Sequence, residues 1–227
     1  MVAVPPAFSI LFFADALNAD AVTLSFLSIS PCPNIFTGFK EDLIIPFSCN
    51  TTGLSRVLGS IDRDFGISSV TSVIARRAVD PDVPKGMVDS VSLDPVTIPS
   101  HHGPDVNTIL PDLNIVTMAI KIPTTHNHVH SLIIDFKDGF SSSPEDIASC
   151  LRKTPRVMLV SSANGVKSTA HTFDLGREMG RDRGDIYESM VWEDSITVKG
   201  SRAYMYMAVA QESICLLYTS PSPRDRG

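Results

Sequence analysis

The chain has 227 residues, 43% apolar side chains and a formal net charge of −6. That length and apolar share suffice for a good core, and the negative balance argues against a nucleic-acid partner. Cys32, Cys49, Cys150 and Cys215 show no paired spacing, which speaks against a disulfide framework and suits a reducing cytoplasm.

In chain order, the apolar opening from Ala7 to Leu17 lacks a basic flank and contains Asp15. It reads neither as a signal peptide nor as a membrane span. Leu54, Val57, Leu58, Ile61 and Phe65 then recur at helix spacing, predicting a helix from about Thr51 to Asp64 with Asn50 or Thr51 as N-cap. Cys49 falls just ahead of it, where the helix dipole favours thiolate over thiol. The plain alternative is an inert core cysteine. Ser68 to Arg76 reads as a strand, and Lys85-Gly86 as a turn. The stretch around His101-His102-Gly103-Pro104-Asp105 reads as a proline-bounded loop.

Leu113–Ile122 and His128–Phe136 are rich in Ile, Val and Leu and predict long strands joined through Pro123-Thr124-Thr125. Ser143 as N-cap and Pro144 at the first helical position start a helix running through Cys150. Arg156 to Ser161 predicts a strand, Ser168 to Met179 a helix, and Ser195 to Ala210 a strand pair turning at Lys199-Gly200. The expected class is α+β: a mixed, largely antiparallel sheet packed against helices. No Gly-x-Gly turn, of the kind that lets backbone N–H groups approach a pyrophosphate, occurs in the sequence.

His126, His128 and His130 alternate, so on a strand they share one face. Such a set suggests zinc, with His101 or His102 completing the shell, but no carboxylate or thiol is well placed and no metal is assigned. Imidazole suits a general base, since its pKa lies near working pH. For His126 and His171 the simple reading is a polar ring satisfied by neighbouring backbone. His101 and His102, as donors charged near a phosphate, suit anion binding.

The segment Phe47-Ser48-Cys49-Asn50-Thr51-Thr52-Gly53-Leu54-Ser55-Arg56 resembles the active-site segment of archaeal-type phosphorylating glyceraldehyde-3-phosphate dehydrogenases. The resemblance continues in order through Arg76-Arg77, Lys85-Gly86, Pro99-Ser100-His101-His102-Gly103-Pro104-Asp105-Val106 and Pro123-Thr124-Thr125 with His128 and His130. It ends with Thr154-Pro155-Arg156-Val157, Leu175-Gly176-Arg177, Val191-Trp192 and Gln211-Glu212-Ser213. Several ordered blocks carry more weight than any single motif. Where the family has two apolar residues before its first histidine, this chain has His126 and Asn127.

The resemblance implies Cys49 as nucleophile and His128 as general base, with His130 orienting that base. Ser48 and Asn50 would hold the substrate carbonyl oxygen, and His101 and His102 the substrate phosphate. Arg77 and Gln211 would contact the cofactor, NAD or NADP, with Arg76 a close competitor of Arg77. The implied reaction converts glyceraldehyde 3-phosphate and inorganic phosphate to 1,3-bisphosphoglycerate through a cysteine thioester, in a cytoplasmic homotetramer. The expected division is a nucleotide-binding remnant at 1–47, a catalytic domain at 48–214 and a disordered tail at 215–227, since Cys215 to Asp225 resembles a translated sequencing adapter. On this reading the chain is an internal fragment, inactive by itself. The alternative is a phosphate- or sugar-phosphate-binding remnant without redox activity.

Overall fold

A computed structural model describes residues 48–78, 90–179 and 189–209. The segments 1–47 and 215–227, with Lys85-Gly86, Gln211-Glu212-Ser213 and Cys215, lie outside the described residues. Helix α1 spans Cys49–Phe65 and leads into strand β1, Ile67–Arg77. There follow β2 (Ser92–Leu93), α2 (His102–Asn107), β3 (Ile115–Ile122), β4 (His128–Phe136), α3 (Pro144–Arg152) and β5 (Val157–Val160). The remaining elements are α4 (Thr169–Glu178), β6 (Ser189–Trp192), β7 (Thr197–Lys199) and β8 (Arg202–Val209).

Among the described residues, eight strands form one sheet in the order β2-β3-β1-β4-β8-β6-β5, with β7 paired beside β8. Only β1/β3 and β5/β6 run parallel; the other pairs are antiparallel. This is the mixed, largely antiparallel sheet expected of the α+β class. The Pro123-Thr124-Thr125 connection does not join neighbours, because β1 lies between β3 and β4.

The period-2 pattern places the core. Along β4, His128, His130, Leu132, Ile134 and Phe136 are buried while the residues between them are half-buried. Val70, Ser72, Ile74 and Arg76 of β1 occupy the same covered face. Against it lies α1, whose Leu54, Val57, Leu58 and Ile61 are fully buried. The last turn of α1 meets Phe136 and Phe140 through Phe65, edge-on to both. A smaller cluster joins Met190, Trp192 and Ala208 to Phe173 and Leu175 of α4. In α3 a complete capping box links Ser143 and Asp146, with Pro144 at the first position, as the sequence predicts. Its buried Cys150 hydrogen-bonds the Ser60 carbonyl of α1, and burial pushes that thiol up to about 12.

Two local readings are corrected, and one strand carries no sequence signal. Helix α1 begins two residues early: Ser48, not Asn50 or Thr51, is the N-cap, and its Oγ accepts from the Thr51 N–H at 3.3 Å. Asn50 and Thr51 are buried within the first turn and serve the interior instead. The His101–Asp105 stretch is not a loop but the start of α2. Pro104 suits this, since an N–H in the first helical turn needs no intrahelical acceptor. Strand β6, all four residues buried, has too short and aperiodic a sequence to announce itself.

Gly53 lets the first turn of α1 close onto β8. A Cβ there would sit 2.6 and 3.0 Å from the two Val209 methyls and 3.3 Å from Ser189 Oγ. Gly53→Ala gains about 1 kcal/mol of helix propensity but overpacks at a cost of roughly 1–3 kcal/mol. We expect a lowered urea midpoint; an unchanged or raised one would show that the helix end can lift from the sheet.

Candidate active site

The first turn of α1 ends directly over the N-terminal half of β4. Cys49 Sγ lies 3.2 Å from His128 Nε2, both groups being buried and 79 positions apart in sequence. One residue on, Asn50 Oδ1 lies 2.8 Å from His130 Nε2. Two consecutive helix residues thus meet two alternate strand residues. His126, outside the strand, stands edge-on to Phe173 with ring centroids 5.2 Å apart and takes no part, so the three alternating histidines do not act as one set.

The hydrogen bonds fix the state of the His128 ring. The backbone N–H of Arg77, at the end of β1, donates to His128 Nδ1 at 3.1 Å. That nitrogen therefore carries a lone pair, and the proton of the neutral ring is on Nε2, facing sulfur. Burial holds His128 well below the ordinary histidine pKa, and the positive charges of Arg77 and Arg76 act the same way. His130 is pushed down to about 3 by burial alone. Its ring bonds Asn50 and, at 3.4 Å from Nδ1, Ser72 Oγ. The expected role of orienting the base is therefore not what its hydrogen bonds serve.

Helix α2 brings in the second histidine pair. Gly103 makes this possible, since its N–H donates to Thr117 Oγ1 at 3.0 Å and a Cβ there would stand 3.1 Å from the same oxygen. His102 is fully buried with Nδ1 3.3 Å from Ser48 Oγ, one residue from Cys49. Its Nε2 has no hydrogen-bond partner among the described residues. Burial, helped by His101, Arg76 and His130, pushes His102 down to about 2. Burial thus keeps the His102 ring neutral in this structure. His101 is exposed, its ring 3.9 Å from that of His102. His101, His102 and Asp105 bring potential ligand atoms within 4.8 Å of one another, but the influence of Arg76 makes this corner better suited to an anion than to a cation.

Of the two candidate arginines, Arg76 is buried and ion-paired with Asp94, which also meets Lys121 at 3.1 Å. Arg77 is half-buried. Gln211 lies outside the described residues. Sequence reasoning missed Ser72, Thr117, Asp94 and the Arg77 main-chain amide; nothing local marks them, because each acts through a partner brought in by the sheet. His171 fits its simple reading, accepting at Nδ1 from the Lys167 N–H at 3.0 Å. Among the described residues no helix is long and apolar enough to cross a membrane.

Residues 48–195 match the family model for the glyceraldehyde 3-phosphate dehydrogenase C-terminal domain. The chain is 46% identical over 203 residues to glyceraldehyde-3-phosphate dehydrogenase of Archaeoglobus fulgidus, covering 89% of this chain and 58% of that protein. It is 48% identical over 198 residues to the Metallosphaera sedula enzyme of the same name, covering 87% and 58%. The chain thus spans less than two thirds of the length of these curated relatives. Aspartate semialdehyde dehydrogenase II from Vibrio cholerae shares the fold, with a TM-score of 0.58 at 11% identity over 76% of this chain and 58% of that one.

The three buried imidazoles set the acid sensitivity. Each is neutral when folded but binds a proton in the unfolded chain below about pH 6.5, so each removes about 1.4 kcal/mol of stability per pH unit below that value. Urea unfolding from pH 7 to pH 5 should report uptake approaching three protons. Uptake of one or fewer would show that at least two of the rings are charged in the folded chain.

Proposed function

The chain belongs to the archaeal-type glyceraldehyde-3-phosphate dehydrogenases, and from that premise we propose that residues 48–214 act as the catalytic domain of a phosphorylating enzyme of this kind. The observation that carries the reading is the buried contact between Cys49 Sγ and His128 Nε2 at 3.2 Å. A helix N-terminus and an N–H donor at one sulfur favour the thiolate, which is the nucleophilic form.

The thiolate adds to the aldehyde carbon of glyceraldehyde 3-phosphate, forming a C–S bond and an oxyanion. His128 Nε2–H, already aimed at sulfur, moves its hydrogen bond to that oxygen. Loss of hydride from the same carbon leaves a Cys49 thioester, and inorganic phosphate then attacks it, releasing 1,3-bisphosphoglycerate and the thiolate. General-base action by His128 needs a lone pair on Nε2, so it requires the ring proton to move to Nδ1 and the hydrogen bond from the Arg77 main-chain N–H to be given up. The tautomer implied by the Arg77 N–H contact supports the donor role for the resting site.

His101 and His102 are the residues we assign to the substrate phosphate; His102 holds a buried, unpartnered nitrogen that suits a ligand arriving from outside. A nicotinamide cofactor, NAD or NADP, supplies the hydride acceptor when bound. The half-buried Arg77 guanidinium has the charge to hold a cofactor phosphate, and Gln211 completes the assignment. A cytoplasmic homotetramer follows from the resemblance and belongs to the same proposal.

Two measurements test the reading. In a protein that includes the nucleotide-binding domain, Cys49→Ser should reduce aldehyde-dependent NAD(P)H formation at least ~10³-fold. In the chain itself, iodoacetamide should label Cys49, at a helix N-terminus beside His128, while Cys150, whose thiol burial pushes up to about 12, stays unmodified. Phosphate binding with no alkylation at Cys49 would favour a non-redox remnant instead.

A further inference from the structure

We infer that His130 is a positioning residue that turns the N–H groups of the Asn50 side chain toward the oxygen formed on the substrate at Cys49. The inference deepens the proposed function and rests on Cys49 being a nucleophile that attacks a carbonyl. Asn50, Ser72 and His130 are all fully buried. Asn50 Oδ1 can only accept, so its 2.8 Å contact requires a proton on His130 Nε2. The neutral ring then has a lone pair at Nδ1, and the Ser72 hydroxyl, 3.4 Å away, donates to it.

The chain of bonds therefore has one direction, from the Ser72 hydroxyl through the imidazole to the amide oxygen. It ends on Asn50 Nδ2, which is buried and has no hydrogen-bond partner among the described residues. A buried donor left over from a satisfied network calls for an explanation. Asn50 follows Cys49 in the same helical turn. A side-chain amide has little torsional preference between its two faces. The His130 N–H supplies that preference by capturing the oxygen and leaving both amide protons on the other side. Asn50 would then be an oxyanion donor and His130 the residue that keeps it one.

The test compares two reactions of Cys49 in the full 227-residue chain, followed at that residue by mass spectrometry. With p-nitrophenyl acetate, sulfur adds to the carbonyl and an oxyanion forms; it collapses by breaking the C–O bond, releasing p-nitrophenolate and leaving an acetyl thioester. With iodoacetamide, sulfur displaces iodide at a tetrahedral carbon and no oxyanion arises. Their rate ratio isolates oxyanion stabilisation from thiolate reactivity. His130→Ala should lower that ratio about tenfold or more. His130→Gln, whose amide N–H can stand in for Nε2–H, should recover most of the loss. In an Asn50→Ala background, His130→Ala should lower the ratio no further.

An unchanged ratio in His130→Ala overturns the inference while leaving the nucleophile intact. So does a loss that His130→Gln fails to recover, or one that persists without Asn50. If wild-type Cys49 takes neither reagent, the nucleophile reading falls and this inference falls with it.

Discussion

The site depends on the seating of one helix end upon one strand. Consecutive helix residues diverge by about 100° for a rise of about 1.5 Å, whereas same-face strand residues stand about 6.8 Å apart. Cys49 and Asn50 can each reach a different histidine because the first turn of α1 fans its side chains along β4. A one-residue slip in the register of β4 would send both rings to the opposite face. The pairing of β4 between β1 and β8 over nearly its whole length guards against that slip.

Chemistry and stability oppose each other at this seat. The core face of β4 could have been apolar throughout; instead its first two covered positions are imidazoles kept neutral by burial. Their hydrogen bonds to Cys49, Asn50, Ser72 and the Arg77 amide make that burial tolerable. Gly53 allows the helix to sit close enough for those bonds to form. Among several buried polar atoms without a hydrogen-bond partner among the described residues, Asn50 Nδ2 and His102 Nε2 belong to side chains assigned to the substrate and offer it hydrogen-bonding capacity.

Much of the frame was legible in the sequence because it rests on local periodicity. The apolar repeat of α1, the alternation of His128 to Phe136 and the Ser143 capping signal each act within a few residues. The sequence does not single out the N-cap, because Ser, Asn and Thr all suit that position, and the choice of Ser48 depends on what the interior requires of Asn50 and Thr51. The α2 helix escaped because six residues with Gly and Pro carry little helical signal, and tertiary contacts to Thr117 hold them. Pairings across about 80 positions, such as Asn50 with His130, have no sequence-local trace. The resemblance could name the histidines but not divide the work between them, since that division lies in which nitrogen faces which partner.

The Arg77 amide gives one residue two separable duties. Its side chain can be exchanged without touching the main-chain N–H that sets the His128 proton. Only proline, which lacks that hydrogen, deletes it in a single substitution. The tautomer is thus written into the path of the backbone rather than into any side chain, so side-chain chemistry at the strand end can drift while the protonation pattern facing the sulfur is kept.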